Sequence, residues 1–405
     1  MTITIILTDD WELRGNGCGT VSELQKIPAI KLMDLYDSLG IKSTFNVEVM
    51  QQLTFLKYSS KDNFLFQEKK DWEYTVNQFI ERNFDVQLHI HPQWLNAERI
   101  SGYWKLNKKW NIVDYSDSEI DFMFSESIKY LKSLNTKIEL KSFRGGSWGL
   151  GPPSEKIQNK LQEFNINIDM SIANGLYYDG NAISLDYRNL ESKNIPYFTN
   201  LYDVRKIGDS KILEIPTQSV SKKELIINLL IKSILNFNIL LFKEFIFYFL
   251  FFTLPKKVLI FIGKLKQIKL KAKDDNLPDF VETDPFGLNS TRSKSPFMGP
   301  VIDLSSRYSF RVWKILIDCC IKRAQKINKN SDKELILIFE NHTKGLQTDN
   351  DFKRIRKIIL YIQKKYPQIS FKTISQISNS VKKSMKNLEN YENEASIMIN
   401  LYKNV

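Results

Sequence analysis

Two hydrophobic periodicities alternate along this chain. Short runs dense in β-branched and other apolar residues fall at 3–7, 42–47, 86–91, 140–143, 166–171, 213–217, 334–339 and 369–371, with the length and composition of buried strands. Between them, apolar residues recur at helical spacing over 28–39, 72–82, 118–134, 154–164, 310–326 and 352–365. Repeated strand–helix units predict an α/β fold built on a parallel sheet, closed or nearly closed. The repeats are uneven, so the expected form is a distorted (β/α) barrel.

Polar clusters sit where the strand runs end, and in barrels and open α/β sheets the carboxyl ends of strands are where sites are built. The first run leads into Thr8-Asp9-Asp10-Trp11-Glu12. Later ones lead into His89-Ile90-His91-Pro92, Arg144-Gly145-Gly146-Ser147-Trp148-Gly149, Asp169-Met170-Ser171 and Glu340-Asn341-His342. The chain has only three histidines, and all three are in these clusters. His89 and His91 are two apart, so on a regular strand they share a face. An Asp oxygen and two imidazoles, with positions left for water, suit a divalent, zinc-like catalytic ion. Asp9 and Asp10 are adjacent and point to opposite faces wherever the strand continues, so they take different roles.

Composition narrows the class. A chain of 405 residues with 42% hydrophobic and 26% charged residues is globular. Cys18, Cys319 and Cys320 offer no zinc spacing and leave one cysteine over in any pairing. With the first strand starting almost at once and no leader before it, a reducing cytoplasmic setting is expected. The net charge of +12 is concentrated rather than spread: residues 222–273 hold eleven Lys against two Glu. No RNA- or DNA-binding signature accompanies it, so no nucleic-acid partner is expected.

The clusters, in this order, resemble the polysaccharide deacetylases of the NodB-homology superfamily. Thr8-Asp9-Asp10 resembles their first motif without its Phe, and His89-Ile90-His91-Pro92 their two-His metal motif, with the histidines two apart instead of four. Arg144–Gly149 resembles the Arg motif, Glu340-Asn341-His342 the late His motif, and Asp169-Met170-Ser171 is the candidate for the Asp motif, lacking its aromatic. The likeness covers residues 1–217 and 300–375 and is nearest a branch associated with bacterial surface-polysaccharide and O-antigen synthesis. It implies a barrel of the glycoside hydrolase/deacetylase kind. It also implies metal-dependent removal of an acyl group from an amino sugar, on a glycan or a lipid-linked precursor. A non-catalytic carbohydrate-binding barrel, or hydrolysis of another non-peptide C–N amide, is the alternative.

Within that resemblance, Asp10, His89 and His91 are the expected metal ligands, with zinc the expected ion. Asp9 is the expected general base, held ionised by Arg144, and His342 the acid that protonates the departing amine. Glu340 or Asp169 would tune His342. Trp11, Trp94 and Trp148, with Glu12, would line the sugar site, although packing at the rim accounts for any one Trp equally well.

The domain reading is a barrel over 1–218 and 300–377, a helical apolar and basic insertion over 219–299, and a polar helix or tail over 378–405. In the insertion, Asn228, Lys232 and Asn236 form a narrow polar stripe along an otherwise apolar helix at 225–242. Lys243, Glu244 and Pro255-Lys256-Lys257 keep every apolar run below the ~20 residues that span a bilayer. A wide apolar face beside clustered Lys matches an interfacial helix on anionic lipid, where each Lys adds about 1 kcal/mol. The insertion is therefore expected to hold the protein on the inner face of the plasma membrane, with a cap on the barrel or a dimer interface as the alternative.

Overall fold

The computed structural model describes residues 3–180, 182–253, 278, 280–281, 301–327 and 334–378. Seven strands run parallel around the core of the molecule: β1 (Ile3–Trp11), β2 (Thr44–Glu48), β3 (Asp85–Ile90), β4 (Ser142–Gly145), β5 (Ile168–Asp169), β6 (Leu213–Glu214) and β7 (Leu335–His342). Their order around the sheet is β6-β5-β4-β3-β2-β1-β7, with Tyr197–Phe198 added antiparallel to β6 and Ser370–Phe371 beside β1. Beyond β6 the chain bridges on one side to Ala173, which follows β5, and on the other to Ile338 of β7, both through Thr217. The sheet thus curls round and meets itself through single bridges rather than a ladder, which is the distorted (β/α) barrel expected.

Helices α1 (Ile27–Ser38), α2 (Met50–Ser59), α3 (Asn63–Glu81), α4 (Asp117–Leu134), α5 (Glu155–Glu163), α6 (Lys222–Leu235), α7 (Ile239–Thr253), α8 (Phe310–Ile327) and α9 (Asp349–Lys365) lie outside the sheet. Ser116 and Glu119 form a capping box at the start of α4, satisfying N–H groups that no helical carbonyl can reach. The lower interior of the barrel is a small apolar plug of Ile6, Ile168, Met170, Leu213, Ile215, Ile336 and Ile338, closed from below by Ile374 and Ile377. Above this plug the inward positions become ionisable. The expected tail falls at 379–405, outside the described residues, as does the stretch of the insertion over 254–277.

Candidate active site

β1 does not stop at Leu7 but stays regular through Trp11, so its alternation runs straight through the polar cluster. Thr8, Asp10 and Glu12 follow Ile6 on the inward face, while Asp9 and Trp11 face the helices. Parallel register sets Asp10 opposite His342 and His89 opposite both Arg144 and Glu48. The inward residues form two adjoining groups, Glu12 with His89 and His91, and Asp10 with Glu340 and His342.

The first group has the properties of a metal site. His91 Nε2 meets Glu12 Oε2 directly, and His89 Nε2 lies 3.4 Å from the same oxygen. All three atoms are buried, and none makes a hydrogen bond of normal geometry. Three convergent, unsatisfied donor atoms are costly unless something satisfies them together. His89 Nδ1 is paired with the carbonyl of Arg144 at 2.8 Å, which leaves Nε2 with its lone pair toward Glu12. The side-chain amide of Gln93 lies 2.9 Å from His91 Nδ1, and its own oxygen is a buried, unpartnered atom. Turning that amide over, in exchange for the 3.3 Å bond that its N–H makes to the Gly15 carbonyl, lets the oxygen accept from Nδ1 and frees His91 Nε2 as well. The electrostatics agree. Asp10, Glu12, Asp303 and Glu340 face Arg144, Lys344 and His342, with burial raising Glu340 above its ordinary value against the pull of Arg144. Burial would raise the Glu12 pKa, but His91 and Lys344 hold it well below the usual carboxylate range. Asp10, expected with the two histidines, groups instead with Glu340 and His342. One step lower on β1, Asp10 is level with His342, and Glu12 is the carboxylate that reaches past the end of β3 to His91.

The second group carries its own cation. Arg144 donates to Glu340 at 2.8 Å and lies 3.9 Å from Asp10. Asn46 donates to Asp10 at 2.7 Å. Burial pushes Asp10 up, but Arg144, His89 and His342 more than reverse this and leave it below its ordinary value, ionised. His342 Nδ1 faces Asp303 at 3.2 Å, and its Nε2 faces Glu340 at 3.3 Å and Asp10 at 3.7 Å. Burial alone would lower its pKa; the charges of Asp303 and Glu340 instead raise it to about 9. At neutral pH it is an imidazolium with one N–H anchored on Asp303 and the other aimed into the site.

Asp9 does not meet Arg144. It lies against Tyr36 (3.0 Å) and Asn341 (2.7 Å), on the helix side of the strand and wholly buried. That removes it from the place a base would need. Burial raises its pKa to about 6, with the hydrogen bonds from Asn341, Ser43 and Tyr36 only partly opposing. A raised folded-state value means that Asp9 favours the fold most below pH 3.8, its ordinary value, and that this contribution fades as pH rises to about 6. Asp9→Asn, which cannot ionise, should therefore gain stability relative to the parent across that window, on the order of 3 kcal/mol in all. Its activity should stay within a few-fold. Urea melts of both proteins from pH 4 to 7 measure the first, and a flat difference across this window would refute the assignment.

Two of the three tryptophans are also not available to a sugar. Trp11 is fully buried against Trp72 and Phe79, and Trp94 against Phe55 and Trp104. Trp148 is at the site: its ring stands edge-on to His342 at 5.9 Å and its Nε1 donates to Glu340 at 3.2 Å. Ser147 and Trp148 both take positive φ (57°), a strained turn held by the Tyr187 hydroxyl donating to the Trp148 carbonyl at 2.7 Å. Gly146 is required for a different reason, since a Cβ there would come within 2.7 Å of the His91 ring. Below Arg144, Asp169 accepts from Ser171, whose hydroxyl in turn accepts from the Gly145 N–H. Burial raises Asp169, and burial together with the charge of Asp169 raises Glu214 well above the usual range. Asp169 supports the floor of the site and makes no contact with His342 among the hydrogen bonds and ion pairs of the described residues.

Several residues at the site had no sequence signal. Asp303, Lys344, Asn46 and Glu48 each touch or adjoin the groups above. Glu48 sits level with His89 and accepts from three backbone N–H groups, of Met50, Gln51 and His91; burial nonetheless lifts its pKa to about 8.

No protein-family model matches this chain, and no curated protein matches it. Solved structures similar to it include a candidate polysaccharide deacetylase from Mycobacterium smegmatis, at 10% identity, covering 95% of this chain and 91% of that one, with a TM-score of 0.47. Puue allantoinase is similar at 9% identity, covering 93% and 89%, with a TM-score of 0.42. A GH57-type branching enzyme from the hyperthermophilic archaeon Pyrococcus horikoshii is similar at 12% identity, covering 93% and 69%, with a TM-score of 0.45. At these values they carry no weight for function, which is read below from the side chains alone.

Proposed function

We propose that this barrel hydrolyses the N-acyl amide of an amino sugar belonging to a bacterial surface polysaccharide or its lipid-linked precursor. The observation that carries this is the convergence of Glu12 Oε2, His89 Nε2 and His91 Nε2, buried and unsatisfied, beside an imidazolium paired with a carboxylate. Glu12, His89 and His91 would hold a divalent ion, zinc by the chemistry of its ligands. Such an ion supplies a water of lowered pKa and polarises an amide carbonyl.

The remaining work belongs to residues of the chain. Asp10, ionised and fixed at one oxygen by Asn46, accepts the water's proton, the role that the sequence suggested for Asp9. Arg144 keeps Asp10 charged and holds Glu340 in place. His342 delivers the Nε2 proton to the departing nitrogen while Asp303 holds its other side. Trp148 offers a partly exposed ring next to His342, where a sugar face can rest. The second group, Asp10, Glu340 and His342, is less suited to an ion because Arg144 already lies within it.

Metal analysis of the purified protein tests the reading. One equivalent of divalent ion is expected, lost on chelation together with acyl release from an N-acetylated amino sugar. A protein that takes up no ion from a zinc-containing buffer would overturn it in favour of a carbohydrate-binding barrel.

A further inference from the structure

Helices α6 and α7 form an antiparallel hairpin on the outside of the barrel, and α6 is turned the unexpected way round. Lys232, the middle residue of its polar stripe, faces the protein. Lys232 donates to Asp318 of α8 at 2.9 Å, where Lys365, Tyr361 and Tyr366 of α9 and its flank also converge. Arg323 of α8 lies 3.6 Å from Glu224 at the start of α6. Leu225, Leu229 and Ser233 complete the inward row at a spacing of four. The helix therefore turns Lys232 and Glu224 toward α8 and presents Ile231, Ile234 and Leu235 outward, 47%, 59% and 73% exposed. The connecting turn carries Phe237 at 97%, and α7 continues the surface with Ile239 at 69% and Phe242 at 45%. Of the 22 exposed large hydrophobic residues among the described ones, twelve lie between 227 and 250, in two helices and one turn. A soluble surface does not ordinarily gather them so.

The charge of the hairpin and of the sequence that follows it distinguishes between possible occupants. Lys223 and Lys243 are exposed on the hairpin. The chain leaving α7 at Thr253 carries, over residues 254–273, seven Lys and no Asp or Glu. A second copy of the same face would bring like charges together. An anionic lipid surface neutralises them and accepts the apolar side chains at the same time. Among the described residues no helix is long and apolar enough to cross a membrane.

We infer that the α6–α7 face lies in the interface of an anionic membrane, apolar side chains inserted among acyl chains and lysines at the headgroups. This stands apart from the chemistry of the barrel, since no residue of the face belongs to the site.

The test uses the full chain and two kinds of vesicle, pure phosphatidylcholine and phosphatidylcholine with phosphatidylglycerol, in co-sedimentation across a salt series. Strong binding to the anionic vesicles alone is expected, weakening as salt rises. The combined variant Ile231→Ser, Leu235→Ser, Phe237→Ser should bind at least about tenfold more weakly, with a little-changed melting curve because these side chains are largely exposed. Lys243→Glu should lower the affinity for anionic vesicles only. Binding to neither vesicle, equal binding to both, or a concentration-dependent dimer that the triple variant dissociates would each overturn the inference.

Discussion

Glu12→Gln is expected to lose its metal ion and its turnover together. The amide is close in shape to the carboxylate but carries no charge and offers only one weak ligand oxygen, so His89 and His91 would be left to hold a divalent ion alone. Loss of an outer-shell partner typically costs 10–100-fold in metal affinity, and loss of a ligand should exceed that, so a drop of at least about a hundredfold is expected. Activity at limiting zinc should fall with occupancy. Asp10→Asn makes the informative contrast. If Asp10 were the ligand, it would behave as Glu12→Gln does; as the base, it should keep zinc and lose turnover by about 10²–10⁴-fold. Calorimetric zinc titration of the two variants separates the outcomes. Metal lost from Asp10→Asn and kept by Glu12→Gln would reverse the assignment.

Asp303→Asn should move the alkaline limb of the pH–rate profile. His342 is protonated up to about pH 9 because Asp303 and Glu340 outweigh its burial. Removing the charge of Asp303 removes the larger of these two supports, so the imidazolium becomes less stable and its pKa falls toward the ordinary value of 6.5. Activity that depends on the protonated form is full below that pKa and lost above it. The limb in kcat/KM should therefore shift from near pH 9 to near neutrality, with little change in the acid range. His342→Ala should abolish the limb and cost about 10²–10⁴-fold throughout. An alkaline limb that stays in place in Asp303→Asn would remove His342 from the acid role.

Much of this architecture was legible because the inward and outward faces of the strands differ in chemistry. The runs at 3–7 and 334–339 are apolar where they plug the barrel and ionisable where they leave it, so strands and candidate site were visible together. The alternation also contained a warning. Asp9 and Asp10 had to face opposite ways if the strand continued, but the sequence did not say which faced in; the contacts of Asp9 with Tyr36 and Asn341 decide it. Glu12 was read as a substrate contact because the apolar run ended at Leu7, whereas β1 extends to Trp11 and carries Glu12 up to the histidines.

The helices missed by periodicity were missed for a physical reason. α2 buries Gln51, Gln52 and Thr54, and the first half of α3 buries Glu68 and Asp71 while exposing Phe64 and Phe66. An apolar-face search finds neither, because polar groups are buried there with partners such as Tyr130, Lys26 and the Val21 N–H. Asp303 had no signal at all, being brought to His342 by a single bridge from Asp303 to Glu340. The polar stripe of α6 was visible, but not that Lys232 within it turns toward Asp318.

The most direct measurement is the product balance. Zinc-loaded protein is incubated with an N-acetylated amino sugar in a soluble glycan, and acetate and new primary amine are quantified side by side with Glu12→Gln as the control. One acetate for each amine, dependent on zinc and lost in the variant, is the predicted result. Acetate release that persists in Glu12→Gln, or its absence from the zinc-loaded parent across glycans and lipid-linked precursors, would contradict the account.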